Sequence, residues 1–222
     1  MPAKNTLKTY VDDSYYHIYN RGVEKRVIFQ DDKDYKVFLS YLQFYLTEPL
    51  GGESPKSFPS QVLLNHTKNI KLLAYCLMPN HFHLFIKQGE KDSINHFMRS
   101  LLTRYSMYFN KRYTRVGSLF QGPYKAAYIA NEMQYLYLSK YIHRNPLSMS
   151  NYTSINLVDY PYSSYRNYLN IIHQTWVHPQ EIIEYFSKEN HHTPYREFVE
   201  ESKELSGEIE TLGISTLDHD DT

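Results

Sequence analysis

Residues 71–87 constrain the fold more than any other stretch of the chain. Lys71 to Met78 is an almost unbroken apolar run, Pro79-Asn80 is a turn pair, and His81 to Lys87 is a second run. Two short apolar runs joined by a two-residue turn predict a β-hairpin. Strands without polar alternation need cover on both faces, so both strands are expected to be central in a sheet. The longest run, Leu72 to Met78, is strand-sized and falls far short of the roughly 20 apolar residues that cross a bilayer. The one cysteine, Cys76, lies inside it and has no partner for an internal disulfide.

The flanking segments supply the rest of the pattern. Tyr15 to Asn20 is β-prone and ends at Arg21-Gly22, a turn signal. Asp31-Asp32 offers N-cap chemistry before Tyr35, Phe38, Leu39, Leu42 and Leu46, whose spacing predicts a helix to about Leu46. Residues 47–69, with Gly51-Gly52 and three prolines, read as a long loop or insertion. After the hairpin, Asp92 and Ser93 stand as caps for a helix with Ile94, Phe97, Met98, Leu101, Tyr105, Tyr108 and Phe109 at spacings of three and four. Leu119 to Ile129 is a β-like stretch interrupted at Gly122-Pro123, and Glu132 to Asn145 is a helix stopped by Pro146. The order β-α-β-β-α-β is that of a ferredoxin-like α+β fold, an antiparallel sheet with two helices on one face. The third helix is then an addition, free to cover the other face. Beyond it, Pro161 to Tyr165 reads as irregular, and 179–186 and 194–204 as short helices.

The formal net charge of zero conceals a division. Residues 1–170 hold 21 Lys and Arg against 12 Asp and Glu, and residues 171–222 hold 3 against 12, opposite excesses of nine. A basic body with an acidic tail suits a polyanion binder whose tail stands off the binding face. The expected organisation is a domain over 1–170 and a short helical acidic extension over 171–222. The first ten residues are polar and lack the apolar core of a signal peptide, so a soluble cytoplasmic protein is expected.

Period-two alternation puts His81, His83 and Phe85 on one face of their strand and Phe82, Leu84 and Ile86 on the other. The second set suits the helix-covered face. The histidines then stand side by side on the opposite face, Cα atoms about 6–7 Å apart, close enough to share one ion. On the third helix, Tyr141 and Asn145 are four apart and share a face. Asn145 could lend a carbonyl oxygen to a cation held by the histidines. From the residues alone, Tyr135 and Tyr137 are as eligible as Tyr141 for a chemical role.

These motifs together resemble a known family. Met78-Pro79-Asn80 followed by His81-Phe82-His83, with Tyr15 to Gly22 ahead and Tyr141-Ile142-x-x-Asn145-Pro146 behind, is similar to the single-tyrosine HUH transposases. Within these it is most similar to the branch of the REP-associated tyrosine transposases. Phe97 to Arg104, Asn110-Lys111-Arg112 and Gly117-x-Leu119-Phe120-Gln121-Gly122-x-Tyr124-Lys125 follow that branch in order, so the resemblance covers roughly residues 12–170.

The resemblance implies that His81, His83 and Asn145 hold a divalent metal, Mg2+ or Mn2+, and that Tyr141 is the nucleophile. Tyrosine oxygen would attack a phosphodiester of single-stranded DNA, leaving a 5′-phosphotyrosine and a free 3′-OH. The expected partner is single-stranded DNA in hairpin or palindromic repeats, handled by a monomer or homodimer. The rival readings are a non-cleaving hairpin-binding or regulatory relative, and a zinc-stabilised structural domain. An unperturbed phenol, with a pKa of about 10, needs activation; metal-bound water, His143 and His17 are the candidates. For DNA contacts the candidates are Arg21, Arg99, Arg104, Lys111, Arg112, Arg115 and Lys125, with Tyr105, Tyr113 and Tyr124 as stacking platforms. Gly122-Pro123 departs from the family, which often carries a basic residue there.

Overall fold

The computed structural model describes residues 9–48, 65–149, 156–186, 192–201 and 212. Most of the expected loop at 47–69 therefore lies outside the described residues. Four strands, β1 (Ser14–Arg21), β2 (Ile70–Met78), β3 (His81–Gln88) and β4 (Lys125–Ile129), form one antiparallel sheet in the order β2-β3-β1-β4. With α1 (Asp32–Leu46) and α2 (Ser93–Arg112) in their places, this is the expected ferredoxin-like α+β topology. No helix of the described residues is long and apolar enough to cross a membrane.

Each face of the sheet is closed by its own core. Tyr16, Ile18, Phe82, Leu84 and Ile86 pack against Phe38, Leu42, Phe97, Leu101 and Tyr105 of α1 and α2. Burying each such side chain contributes about 1.5–3 kcal/mol. On the other face Ala74, Cys76, Met78 and Phe85 meet Tyr135, Leu138, Tyr141 and Ile142 of α3 (Glu132–Arg144). Burial in that layer raises the pKa of the Cys76 thiol. Three short helices follow: α4 (Tyr165–Tyr168), α5 (Gln180–Ile183) and α6 (His192–Glu200). They add Tyr165, Tyr168, Ile182, Ile183, Tyr195 and Val199 to the second core. The edge of β2 is capped by the same part of the chain, through bridges Cys76 to Ser163 and Leu72 to Val177. An uncovered edge would otherwise expose unpaired backbone groups.

Three local expectations are corrected. The fourth strand begins at Lys125, because Gly122 takes a left-handed φ of +88° and Pro123 has no N–H to offer a ladder. Only Phe120 of the earlier stretch pairs, in a single bridge to Gly22. Asp92 makes no side-chain cap on α2 and sits at φ +67°. Gln88 Oε1 accepts the Ile94 N–H instead, at 3.3 Å. Helix α3 ends at Arg144 and tightens into a 3-10 turn, Asn145–Ser148. Pro146 cannot donate to the Ile142 carbonyl, which is taken by the Asn145 N–H.

Candidate active site

The site sits where the start of β3 meets the end of α3. In the β1–β3 register Arg21 pairs with His81 and Tyr19 with His83, so Arg21, Tyr19 and His17 share the face of the two histidines. The His81 and His83 rings are 4.9 Å apart and nearly perpendicular. His81 Nε2 lies 3.1 Å from Asn145 Oδ1, and His81 Nδ1 lies 2.7 Å from Asn80 Oδ1. His83 Nδ1 is 2.9 Å from His17 Nε2. His83 Nε2 is buried and has no hydrogen-bond partner among the described residues.

Burial pushes His81 down to about 4 and His83 well below the ordinary imidazole value. The Asn145 amide works against this at both rings, whereas Arg21 drives His81 lower. Both rings are therefore neutral at pH 7 and keep a lone pair each. Two such nitrogens with an amide oxygen fit a divalent cation. Two neighbouring ligands of an octahedral ion with bonds of about 2.0–2.1 Å are roughly 3 Å apart, close to the separation of His81 Nε2 and Asn145 Oδ1. Among the described residues no three His, Cys, Asp or Glu side chains gather about one point, so the amide is needed to complete the set.

Of the three candidate tyrosines on α3, Tyr141 is the one against the histidines. Its ring is edge-on to His83 at 5.3 Å and to His17 at 5.9 Å. Tyr135 packs on Tyr15 and Phe85, and Tyr137 on Phe198. His143 does not serve as a base here. Its Nδ1 bonds Tyr195 Oη at 2.7 Å, its Nε2 bonds Ser164 Oγ at 2.8 Å, and burial pulls its pKa to about 3. It ties α3 to α6 and to β2, where Ser164 Oγ accepts the Tyr75 N–H.

The cations expected on DNA divide between the two sides of the sheet. Arg21 and Lys125 lie on the face of the histidines, Lys125 beside Tyr19 in the β1–β4 register. Arg21 also donates to Gln121 Oε1 at 3.2 Å. The other five belong to α2 and the loop after it, across the sheet. Arg99 and Lys111 are exposed there. Arg104 stacks over Tyr41 and Phe44, and Arg115 over Phe109. Arg112 clasps Asp31 and the fully buried Asp34, and Tyr113 also bonds Asp34. Tyr105 is buried, and Tyr124 bonds Tyr10 and Asn95. Sequence reasoning gave Asn80 no role of its own and did not see the pairing of His17 with His83. The signals available were the turn asparagine next to His81 and the period-two placement of His17 with Tyr19.

Residues 58–145 match the family model of the IS200-like transposases, a span that includes both histidines, Tyr141 and Asn145. No curated protein sequence matches the chain. Among solved structures, a REP-associated tyrosine transposase bound to a REP hairpin superposes with a TM-score of 0.54 at 12% identity, over 78% of this chain and 95% of that one. A proposed transposase from Deinococcus radiodurans R1 gives a TM-score of 0.37 at 16% identity, over 63% of this chain and 95% of that one. Residues 58–145 are thus similar to the IS200-like transposases, and the chain has the fold of the REP-associated tyrosine enzyme.

Proposed function

We propose that this transposase cleaves and rejoins single-stranded DNA, with Tyr141 as nucleophile and His81, His83 and Asn145 as the holders of Mg2+ or Mn2+. The carrying observation is that His81 Nε2 lies 3.1 Å from Asn145 Oδ1, with the buried His83 ring beside both that amide and the Tyr141 ring. In the reaction the Tyr141 oxygen forms a bond to phosphorus and the bond from phosphorus to O3′ breaks. The phenol loses its proton and O3′ gains one, giving a 5′-phosphotyrosine and a 3′-OH. Attack by a 3′-OH reverses the step, so no external energy source is consumed. A divalent ion, when bound, polarises the phosphoryl oxygens and stabilises charge developing on them. Arg21 and Lys125 flank this end of the sheet and suit phosphates on either side of the scissile bond. The REP hairpin bound by the structural relative makes a hairpin with single-stranded flanks the substrate to try first.

The test is covalent adduct formation on a denaturing gel with such oligonucleotides, in Mn2+ and in chelator, for wild type and Tyr141→Phe. A metal-dependent adduct that disappears in the variant supports the reading. An adduct that persists moves the nucleophile to another tyrosine. Tight binding with no adduct on any hairpin favours a non-cleaving relative.

A further inference from the structure

Each site histidine has its second ring nitrogen held by a residue outside the ligand set. Asn80 donates from Nδ2 to the Lys25 carbonyl at 3.3 Å. A carbonyl only accepts, so the atom left facing His81 Nδ1, 2.7 Å away, is the Asn80 Oδ1 acceptor. His81 therefore carries its hydrogen on Nδ1. The asparagine is itself fixed, because Gly22 N–H donates to its carbonyl and the Ile28 and Phe29 N–H groups donate to Pro79. Gly22 is itself packed closely: a Cβ there would lie 2.2 Å from the Arg26 carbonyl oxygen.

His83 is argued from the cost of its alternative. With a hydrogen on Nε2 it would bury an N–H that makes no hydrogen bond, the nearby Asn145 oxygen being turned to His81 Nε2. Orphaned buried N–H groups are rarer and costlier than lone pairs without a donor. The hydrogen belongs on Nδ1, where His17 Nε2 accepts it at 2.9 Å. His81 Nε2 then faces the Asn145 oxygen, acceptor to acceptor, and the buried His83 Nε2 keeps its lone pair.

We propose that Asn80 and His17 are positioning residues that hold His81 and His83 in the Nδ1–H tautomer, turning both Nε2 atoms toward a single divalent cation. The proposal rests on the metal reading of the site, and two measurements keep them separable. The first is histidine nitrogen NMR on the metal-free protein, where both rings should show protonated Nδ1 and unprotonated Nε2. In Asn80→Ala the His81 pattern should lose that purity, and in His17→Phe the His83 pattern should.

The second measurement is Mn2+ affinity by titration calorimetry. Either substitution should weaken binding roughly 10–100-fold, as loss of such supporting partners typically does. Asn80→Asp, which keeps the acceptor, should restore it. Wild-type rings protonated on Nε2, or unchanged Mn2+ affinity in both Asn80→Ala and His17→Phe with melting temperatures intact, would overturn the proposal. Equal Mn2+ binding by wild type and His81→Ala would overturn the metal reading and the cation half of the proposal with it; the tautomers would still be read independently.

Discussion

Replacing Tyr195 by Phe tests whether the C-terminal helix holds α3 through a buried polar network. Tyr195 is fully buried. Its hydroxyl donates to Ser139 Oγ at 3.1 Å, and Ser139 in turn donates to the Leu136 carbonyl. That polarity leaves the tyrosine oxygen to accept from His143 Nδ1, so His143 Nε2 accepts from Ser164 Oγ. Every member is satisfied, and removing one hydroxyl orphans the His143 N–H. Stranding a buried donor costs about 1–3 kcal/mol, whereas the bond alone is worth about 1 kcal/mol net. In a chain of this length each kcal/mol lowers Tm by about 2–4 °C, so a fall of roughly 2–12 °C is expected. Urea unfolding and a thermal melt would measure it, with Tyr128→Phe on the exposed part of β4 as a control expected within about 0.5 kcal/mol. Amides of α3 should also exchange faster in Tyr195→Phe. A stability within about 0.5 kcal/mol of wild type would refute the idea that this network fastens the helix carrying Tyr141 and Asn145.

The same histidine makes the fold acid-sensitive. Burial holds His143 near 3, while in the unfolded chain it titrates at about 6.5. Between those values the unfolded state binds the extra proton, so stability present above pH 6.5 is lost as pH falls. The loss should reach about 2 kcal/mol from His143 alone by pH 5, and equal urea midpoints at pH 7.5 and pH 5 would contradict it. Arg112→Ala should lower the melting temperature, because it strips a charged partner from the buried Asp34. Tyr108, Tyr113 and the Gln30 N–H still bond Asp34; a melt unchanged from wild type would return Arg112 to the surface cations. Arg21→Ala and Lys125→Ala should weaken single-strand binding more than Arg99→Ala and Lys111→Ala. Removing one phosphate-binding cation should lower the salt slope by about 0.7, and the reverse ranking would put the DNA path across α2.

The histidine pair was legible because a strand has period two: once 81–87 is a strand, His81, His83 and Phe85 must share a face. Tyr141 and Asn145 were legible for the analogous reason on a helix, and the α+β class followed from the succession of elements. Which tyrosine of α3 meets the histidines was not, since Tyr135, Tyr137 and Tyr141 are all consistent with helical spacing. The fate of Arg112 was equally hidden. Its partner Asp34 is 78 residues away, and local sequence gives a cation on a helix no reason to fold inward. The same holds for His143 and Tyr195, 52 residues apart, and for His17 and His83, 66 apart. Such pairings exist only after the sheet has brought the elements together.

The charge division also takes on a spatial meaning that composition could not give. In the tail, Glu181 bonds Lys71 and Tyr15, Glu200 bonds Arg196 and Tyr165, and Glu201 approaches Lys140. The Glu181 and Glu200 pairs are partly exposed, and pairs of that kind contribute at most about 1 kcal/mol, so they are not what holds the tail down. Its aromatic and aliphatic residues in the second core do that. The effect of the carboxylates is on the field. They lie on and beside the layer that covers α3, and they offset basic charge of the body there. Arg21 and Lys125 stand on β1 and β4, on the face of the two histidines.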